Sequence, residues 1–111
     1  MKKIAIPVSN DMLDRHFGHC KVFAIYGIEE NKITSEEQLV PPPHEPGLLP
    51  RWLHEMSVTD VIAGGIGQRA IDLFNGNGIN VFVGAPELSP RDIVEAHLNG
   101  DLQLRGNFCD H

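Results

Sequence analysis

Between Val22 and Ile28 the chain sets Val22, Ala24, Tyr26 and Ile28 on one side of an extended backbone and Phe23 and Ile25 on the other. Successive strand residues point to opposite faces, so a strand apolar on both must be covered on both. This one segment demands an interior strand with packed layers above and below it. That requirement points to an α/β architecture rather than a one-sided sheet.

The flanking sequence supplies the other strands and the layers. Lys3–Val8 reads as a first strand whose regular pairing ends at Pro7, because proline has no amide to donate. Ser9–His19 reads as a polar loop. Glu29-Glu30-Asn31 is a tight reversal, and Lys32–Val40 is a third, more polar strand suited to a sheet edge. The period then changes. Leu49, Trp52, Leu53 and Met56 fall on one face of a helix over Leu48–Met56, with Pro50 in its first turn, where amides are unpaired anyway. Thr59–Ala63 is a strand, Gly64-Gly65-Ile66-Gly67 a turn, and Gln68–Asn75 a helix with Ala70, Ile71 and Phe74 inward. Gly76-Asn77-Gly78 stops that helix. Ile79–Val83 is the last strand. Ser89 caps a final helix with Pro90 at its first position, and Asn99-Gly100 closes it. The tail beyond shows no strong periodicity. The order is β-β-β-α-β-α-β-α, which gives an α/β fold with a five-stranded mixed sheet and three helices, because helical crossovers join parallel strands.

A chain of 111 residues makes a single domain spanning 1–111. It is large enough to fold without a disulfide or a metal staple. A net charge of −6, with no basic cluster, argues against a nucleic-acid partner. No run approaches the ~20 apolar residues of a membrane span. Met1-Lys2-Lys3-Ile4 leads straight into a strand, so no signal peptide is expected and the protein reads as cytoplasmic. In that compartment two cysteines suggest free thiols or ligands before a disulfide.

Those cysteines lie beside histidines, in Arg15-His16-Phe17-Gly18-His19-Cys20 and in Phe108-Cys109-Asp110-His111. His44 sits in a third polar segment between Pro43 and Glu45-Pro46-Gly47. Thiolates and imidazoles together ligate zinc, copper and iron–sulfur centres. Strand direction argues that the segments meet. Strands one and three are parallel, so the loops with His16, His19, Cys20 and His44 leave the same end of the sheet. The glycine turn opens there as well, and open α/β sheets bind ligands at that end. Gly100–Phe108, if extended, spans up to about 30 Å, enough to bring the tail back. The candidate metal ligands are therefore Cys20, Cys109, His111, His16, His19 and His44. Gly64, Gly65 and Gly67 offer backbone amides to an anion, and Arg15 and Arg69 offer positive charge. His54 and His97 fall inside helices and read as structural or surface residues.

Met1–Val8, then Arg15-His16-Phe17-Gly18, Ala63-Gly64-Gly65-Ile66-Gly67 with Ala70, Gly78-Ile79 and Val83-Gly84 follow in the order seen in one family. The chain resembles the dinitrogenase iron–molybdenum cofactor biosynthesis family, the NifX-like small cluster-binding proteins, which also include molybdenum–copper cluster proteins. The resemblance implies a ribonuclease H-like three-layer fold. It implies non-catalytic binding or carriage of a metal–sulfur cluster, of iron–sulfur, iron–molybdenum or molybdenum–copper type, for cofactor assembly or delivery. Partners would be cluster donor and acceptor proteins.

Three readings compete with a carrier. A simple zinc site of Cys2His2 type lacks the C-x2-C pair usual in structural zinc sites. A small anion-binding regulatory protein would use the glycine turn alone. An enzyme is disfavoured, because the first strand carries no carboxylate for two-metal nuclease chemistry, and His19 and Cys20 are too close in sequence to present a base to a nucleophile.

Overall fold

The computed structural model describes residues 2–13, 21–41, 48–100 and 102. The strands are β1 (Lys2–Ser9), β2 (Met12–Leu13), β3 (Val22–Glu29), β4 (Lys32–Leu39), β5 (Asp60–Ile62) and β6 (Asn80–Phe82). The helices are α1 (Leu48–Glu55), α2 (Gln68–Gly76) and α3 (Pro90–Asn99). The sheet runs β4-β3-β1-β5-β6, with β2 added to β1. β3 is antiparallel to β1 and to β4, whereas β1, β5 and β6 are parallel. The fold is α/β with an open mixed sheet and three helices.

The demand made by β3 is met in full. It is buried from Phe23 to Ile28, and its two faces feed two separate cores. Phe23 and Ile25 join Leu49, Leu53, Val61, Phe74 and Ile79 beneath α1 and α2. Ala24, Tyr26 and Ile28 join Ile4, Ile6, Ile62, Ile93 and Val94 beneath α3. The helices thus make one layer on each side of the sheet.

Among the described residues the sheet has six strands rather than five. The segment expected to be a polar loop after β1 folds back as β2, with Ser9 opposite Met12 and Val8 opposite Leu13. The reversal uses Asn10 and Asp11, both at positive φ (55° and 65°). Positive φ at both central residues is what a two-residue hairpin requires, and Asn and Asp tolerate it. The same device turns β3 into β4 through Glu30 and Asn31.

Pro7 does not end the strand. Pairing with β3 continues through Pro7↔Phe23 and Val8↔Val22. The Val8 carbonyl accepts the Lys21 amide (3.0 Å) and so faces β3. Because residue directions alternate, the Pro7 nitrogen faces the other side. There it falls between the residues paired with β5 (Ile4, Ala5) and those paired with β2 (Val8, Ser9). No ladder bond is lost.

α3 begins and ends as its sequence dictates. Ser89 Oγ accepts the Asp92 amide at 3.3 Å, Pro90 takes the first helical position, and Gly100 closes the helix in the left-handed region (φ 77°). On its outer side Arg91 donates to Glu36 of β4 and to Glu95, both at 3.1 Å. These pairs are half-exposed and contribute little stability. Glu36 also accepts the buried Tyr26 hydroxyl at 2.7 Å. Burial and that carboxylate hold the phenol above its ordinary range, so it stays a donor.

The buried charge among the described residues, Asp60, lies at the amino end of β5. Thr59 Oγ1 (2.8 Å) and Asn80 Nδ2 (3.1 Å) donate to its two oxygens. In the last turn of α3, His97 stacks edge-on against Phe82 with ring centroids 4.9 Å apart. Burial pushes this imidazole below its ordinary range; Asp60 opposes the shift and Lys2 adds to it. A depressed histidine means the unfolded chain binds the extra proton more readily. The stabilising contribution is complete above about pH 6.5, the unfolded value, and is lost as pH falls through it. Denaturant unfolding of the wild type is expected to lose more stability between pH 7.5 and 5 than unfolding of His97→Gln. Equal losses would remove His97 from the linkage.

Candidate functional site

Strand direction sets the geometry of the site. β1, β4, β5 and β6 all end at one rim. The connections leaving that rim are cross-linked through backbone hydrogen bonds. Ala63 N–H donates to Phe82 (2.8 Å), Gly84 N–H to Gly64 (3.0 Å) and Ala85 N–H to Ala63 (3.2 Å). Leu13 of β2 donates to Leu88 (2.9 Å), which joins the turn after β1 to the loop after β6. The rim is therefore a single bonded floor.

Of the residues singled out from the sequence, Gly64, Gly65, Gly67 and Arg69 are described. Gly64 and Gly65 are buried in the floor and Gly67 is exposed at the start of α2. Positive φ is not found in this turn. Among the described glycines it falls at Gly78, Gly84 and Gly100, and Gly67 is extended (φ −68°, ψ 151°). Gly84, across the floor, takes the strained conformation instead (φ 87°). The Val83-Gly84 pair carried that signal in the sequence, but a lone glycine after a strand does not say which of two facing loops bends.

α2 opens onto the rim without a side-chain cap, because Gly67 has no side chain to offer, and its first turn holds no acidic residue. α3, which also opens there, is capped by Ser89 and carries Asp92 in its first turn. The first amides of α2 thus present the positive end of a helix to the rim. Arg69 stands exposed in that turn and forms no ion pair with the described residues. Asp72, one turn further, is engaged by Gln68 (2.9 Å). This arrangement suits an anion.

Arg15, His16, His19, Cys20, His44, Cys109 and His111 lie outside the described residues. The residues that flank the first two segments are at the rim. Leu13 and Lys21 are both bonded there, the latter also to Ser9 Oγ (3.2 Å), and Val40 and Pro41 follow the end of β4. Among the described residues no three His, Cys, Asp or Glu side chains gather as a metal site would need. His54 and His97 lie in helices away from the rim, as expected. No described helix is long and apolar enough to cross a membrane.

Residues 1–100 match the dinitrogenase iron-molybdenum cofactor family. The chain belongs to that family. An uncharacterised protein of Methanocaldococcus jannaschii is 32% identical over 108 residues, covering 93% of this chain and 91% of its own length. The crystal structure of PH0822 superposes with a TM-score of 0.86 at 31% identity, covering 92% of this chain and 93% of that one. The apo form of the orange protein from Desulfovibrio gigas shares the fold, with a TM-score of 0.76 at 20% identity over 96% and 95% of the two chains. The uncapped α2 terminus and the knit floor are features of this chain that the family name does not supply.

Proposed function

We propose that the protein binds and carries an anionic metal–sulfur cluster, of iron–sulfur, iron–molybdenum or molybdenum–copper type, and passes it between donor and acceptor proteins without transforming it. The observation that carries this reading is the uncapped, acid-free start of α2 on a rim where β1 and β4 also end. The family supports it. In this reading Cys20 and Cys109 supply thiolates, and His16, His19, His44 and His111 supply imidazoles. The Gly64–Gly67 turn, Arg15 and Arg69 offset the cargo's negative charge. Soft sulfur donors suit iron, copper and molybdenum–sulfur cargo, and ligands drawn from loops and a tail suit release.

Anaerobic purification and reconstitution, with elemental analysis and a visible spectrum, test the reading. Wild type is expected to hold stoichiometric iron, molybdenum or copper with visible bands, and Cys20→Ser/Cys109→Ser to hold none. Colourless protein containing only zinc would replace the carrier with a simple Cys2His2 site. Protein that takes up no metal would end both readings.

A further inference from the structure

Asparagine followed by glycine occurs three times in the chain, at Asn75-Gly76, Asn77-Gly78 and Asn99-Gly100. These pairs share one latent reaction. The glycine amide nitrogen attacks Cγ of the asparagine, an N–C bond forms, and Nδ2 leaves as ammonia with the amide proton. The product is a five-membered succinimide, which water opens to aspartate or isoaspartate. A following glycine favours the attack, because it has no side chain to obstruct the ring and its backbone turns freely. We propose that Asn99 is a modification site of the folded protein, converted by this route, and that the fold holds the other two pairs inert.

The three pairs differ in what must open before the ring can close. A helical or turn backbone holds the glycine nitrogen away from Cγ, and a hydrogen-bonded amide is not free to lose its proton. Asn75-Gly76 lies within α2, where each amide bonds to a carbonyl one turn back. Asn77 is half-buried and held from both sides. Its amide donates to the Leu73 and Phe74 carbonyls (3.2 and 3.0 Å), and its side-chain Nδ2 also donates to Leu73 (2.8 Å). The Gly78 amide donates to Asn75 (3.0 Å), and Ile79, next in the chain, is buried and bonded to Phe74 (2.9 Å). Freeing Asn77-Gly78 therefore lifts Ile79 out of the core, and the start of β6 with it.

Asn99-Gly100 needs much less. Asn99 is the last residue of α3, and both residues are exposed. The Gly100 amide closes the helix on the Ala96 and His97 carbonyls, the latter at 3.2 Å. Leu102, which packs on the core two residues further on, is only partly buried. Upstream, the Leu98 carbonyl accepts Asn31 Nδ2 from the turn before β4 at 3.1 Å. Terminal turns fray at little cost, whereas a turn tied to buried core opens only with that core. A fray that frees Gly100 leaves the sheet and both cores in place. Reaction there puts a carboxylate at the negative end of α3. Isoaspartate also adds a methylene to the main chain beside the Leu98–Asn31 contact. None of this depends on the cargo.

Incubation of the metal-free full chain near neutral pH, folded and in guanidinium chloride, followed by tryptic mass spectrometry, tests the assignment. Asn99 falls in the peptide of residues 92–105, and Asn75 and Asn77 fall together in residues 70–91, where fragment ions separate them. Each site's protection is its rate in guanidinium divided by its rate in the folded chain. Protection is expected to be at least ~10-fold lower at Asn99 than at Asn75 or Asn77. A methyltransferase that labels isoaspartate should mark residues 92–105, and should cease to do so in Asn99→Gln, whose longer side chain closes the ring far more slowly. Phe74→Leu, which loosens the core beneath α2, should speed the reaction at Asn77 and leave Asn99 unchanged. Equal protection at the three sites, or faster reaction at Asn77 in the folded chain, would overturn the proposal. So would a Phe74→Leu rate that rises equally at Asn99, because that site would then react through global unfolding.

Discussion

Phe74→Ala is expected to destabilise the protein by about 3–5 kcal/mol, the usual cost of deleting a buried ring without collapse of the site. Phe74 is fully buried between α2 and the sheet, in the core that holds Phe23, Leu53 and Ile79. Its carbonyl also accepts the amides of Asn77 (3.0 Å) and Ile79 (2.9 Å), so the ring anchors the turn that launches β6. A small domain has roughly 5–15 kcal/mol in all, and the loss should take a large part of it. Denaturant melts should show a lower midpoint at an unchanged slope. Phe74→Leu, which leaves a smaller void, should lose less than half as much. A near-neutral Phe74→Ala would mean that the α2 layer is not packed as described.

Gly84→Val carries the second large effect and reaches the site. Gly84 is buried at φ 87°, where a β-branched residue is a true outlier. Left-handed backbone costs an L-residue roughly 1–2 kcal/mol, and crowding a packed position adds about 1–3 kcal/mol. Gly78→Val is the matched control. Its φ is 76°, and a Cβ there meets nothing within 4 Å, so only the strain applies. Gly84 also donates to the Gly64 carbonyl (3.0 Å), the bond that holds the glycine turn to the facing loop. Gly84→Val should therefore lose both stability and cargo loading, and Gly78→Val stability alone. Equal loading by the two variants would show that the floor does not position the cargo.

These two positions show how unevenly structure is written in the chain. Phe74 was legible as a core residue because helical period marks it with Ala70 and Ile71. Ser89, Pro90 and Gly100 were legible for a similar reason: capping is a local transaction between a side chain and backbone groups a few residues away. The β2 hairpin was missed although Asn10 and Asp11 are residues that accept positive φ. A two-residue strand has no period to detect, and it exists because β1 offers an edge beyond β5. Pro7 was misjudged because a proline's cost depends on which neighbour its nitrogen faces, and that is a property of the assembled sheet.

The candidate site divides along the same line. Residue types and strand directions were enough to bring the ends of β1, β4 and β5 to one rim, because crossover handedness leaves few arrangements of a β-β-β-α-β-α-β-α order. They also identified α2 as the helix that follows the glycine turn. That Gly84 rather than the turn takes the left-handed backbone, that α2 is uncapped while α3 is capped, and that α3 ends against the start of β4 follow from contacts between segments far apart in the chain. Local patterns carry what neighbouring residues decide among themselves. Which loop bends and which edge takes a further strand are settled only when distant segments compete for the same space and the same hydrogen bonds.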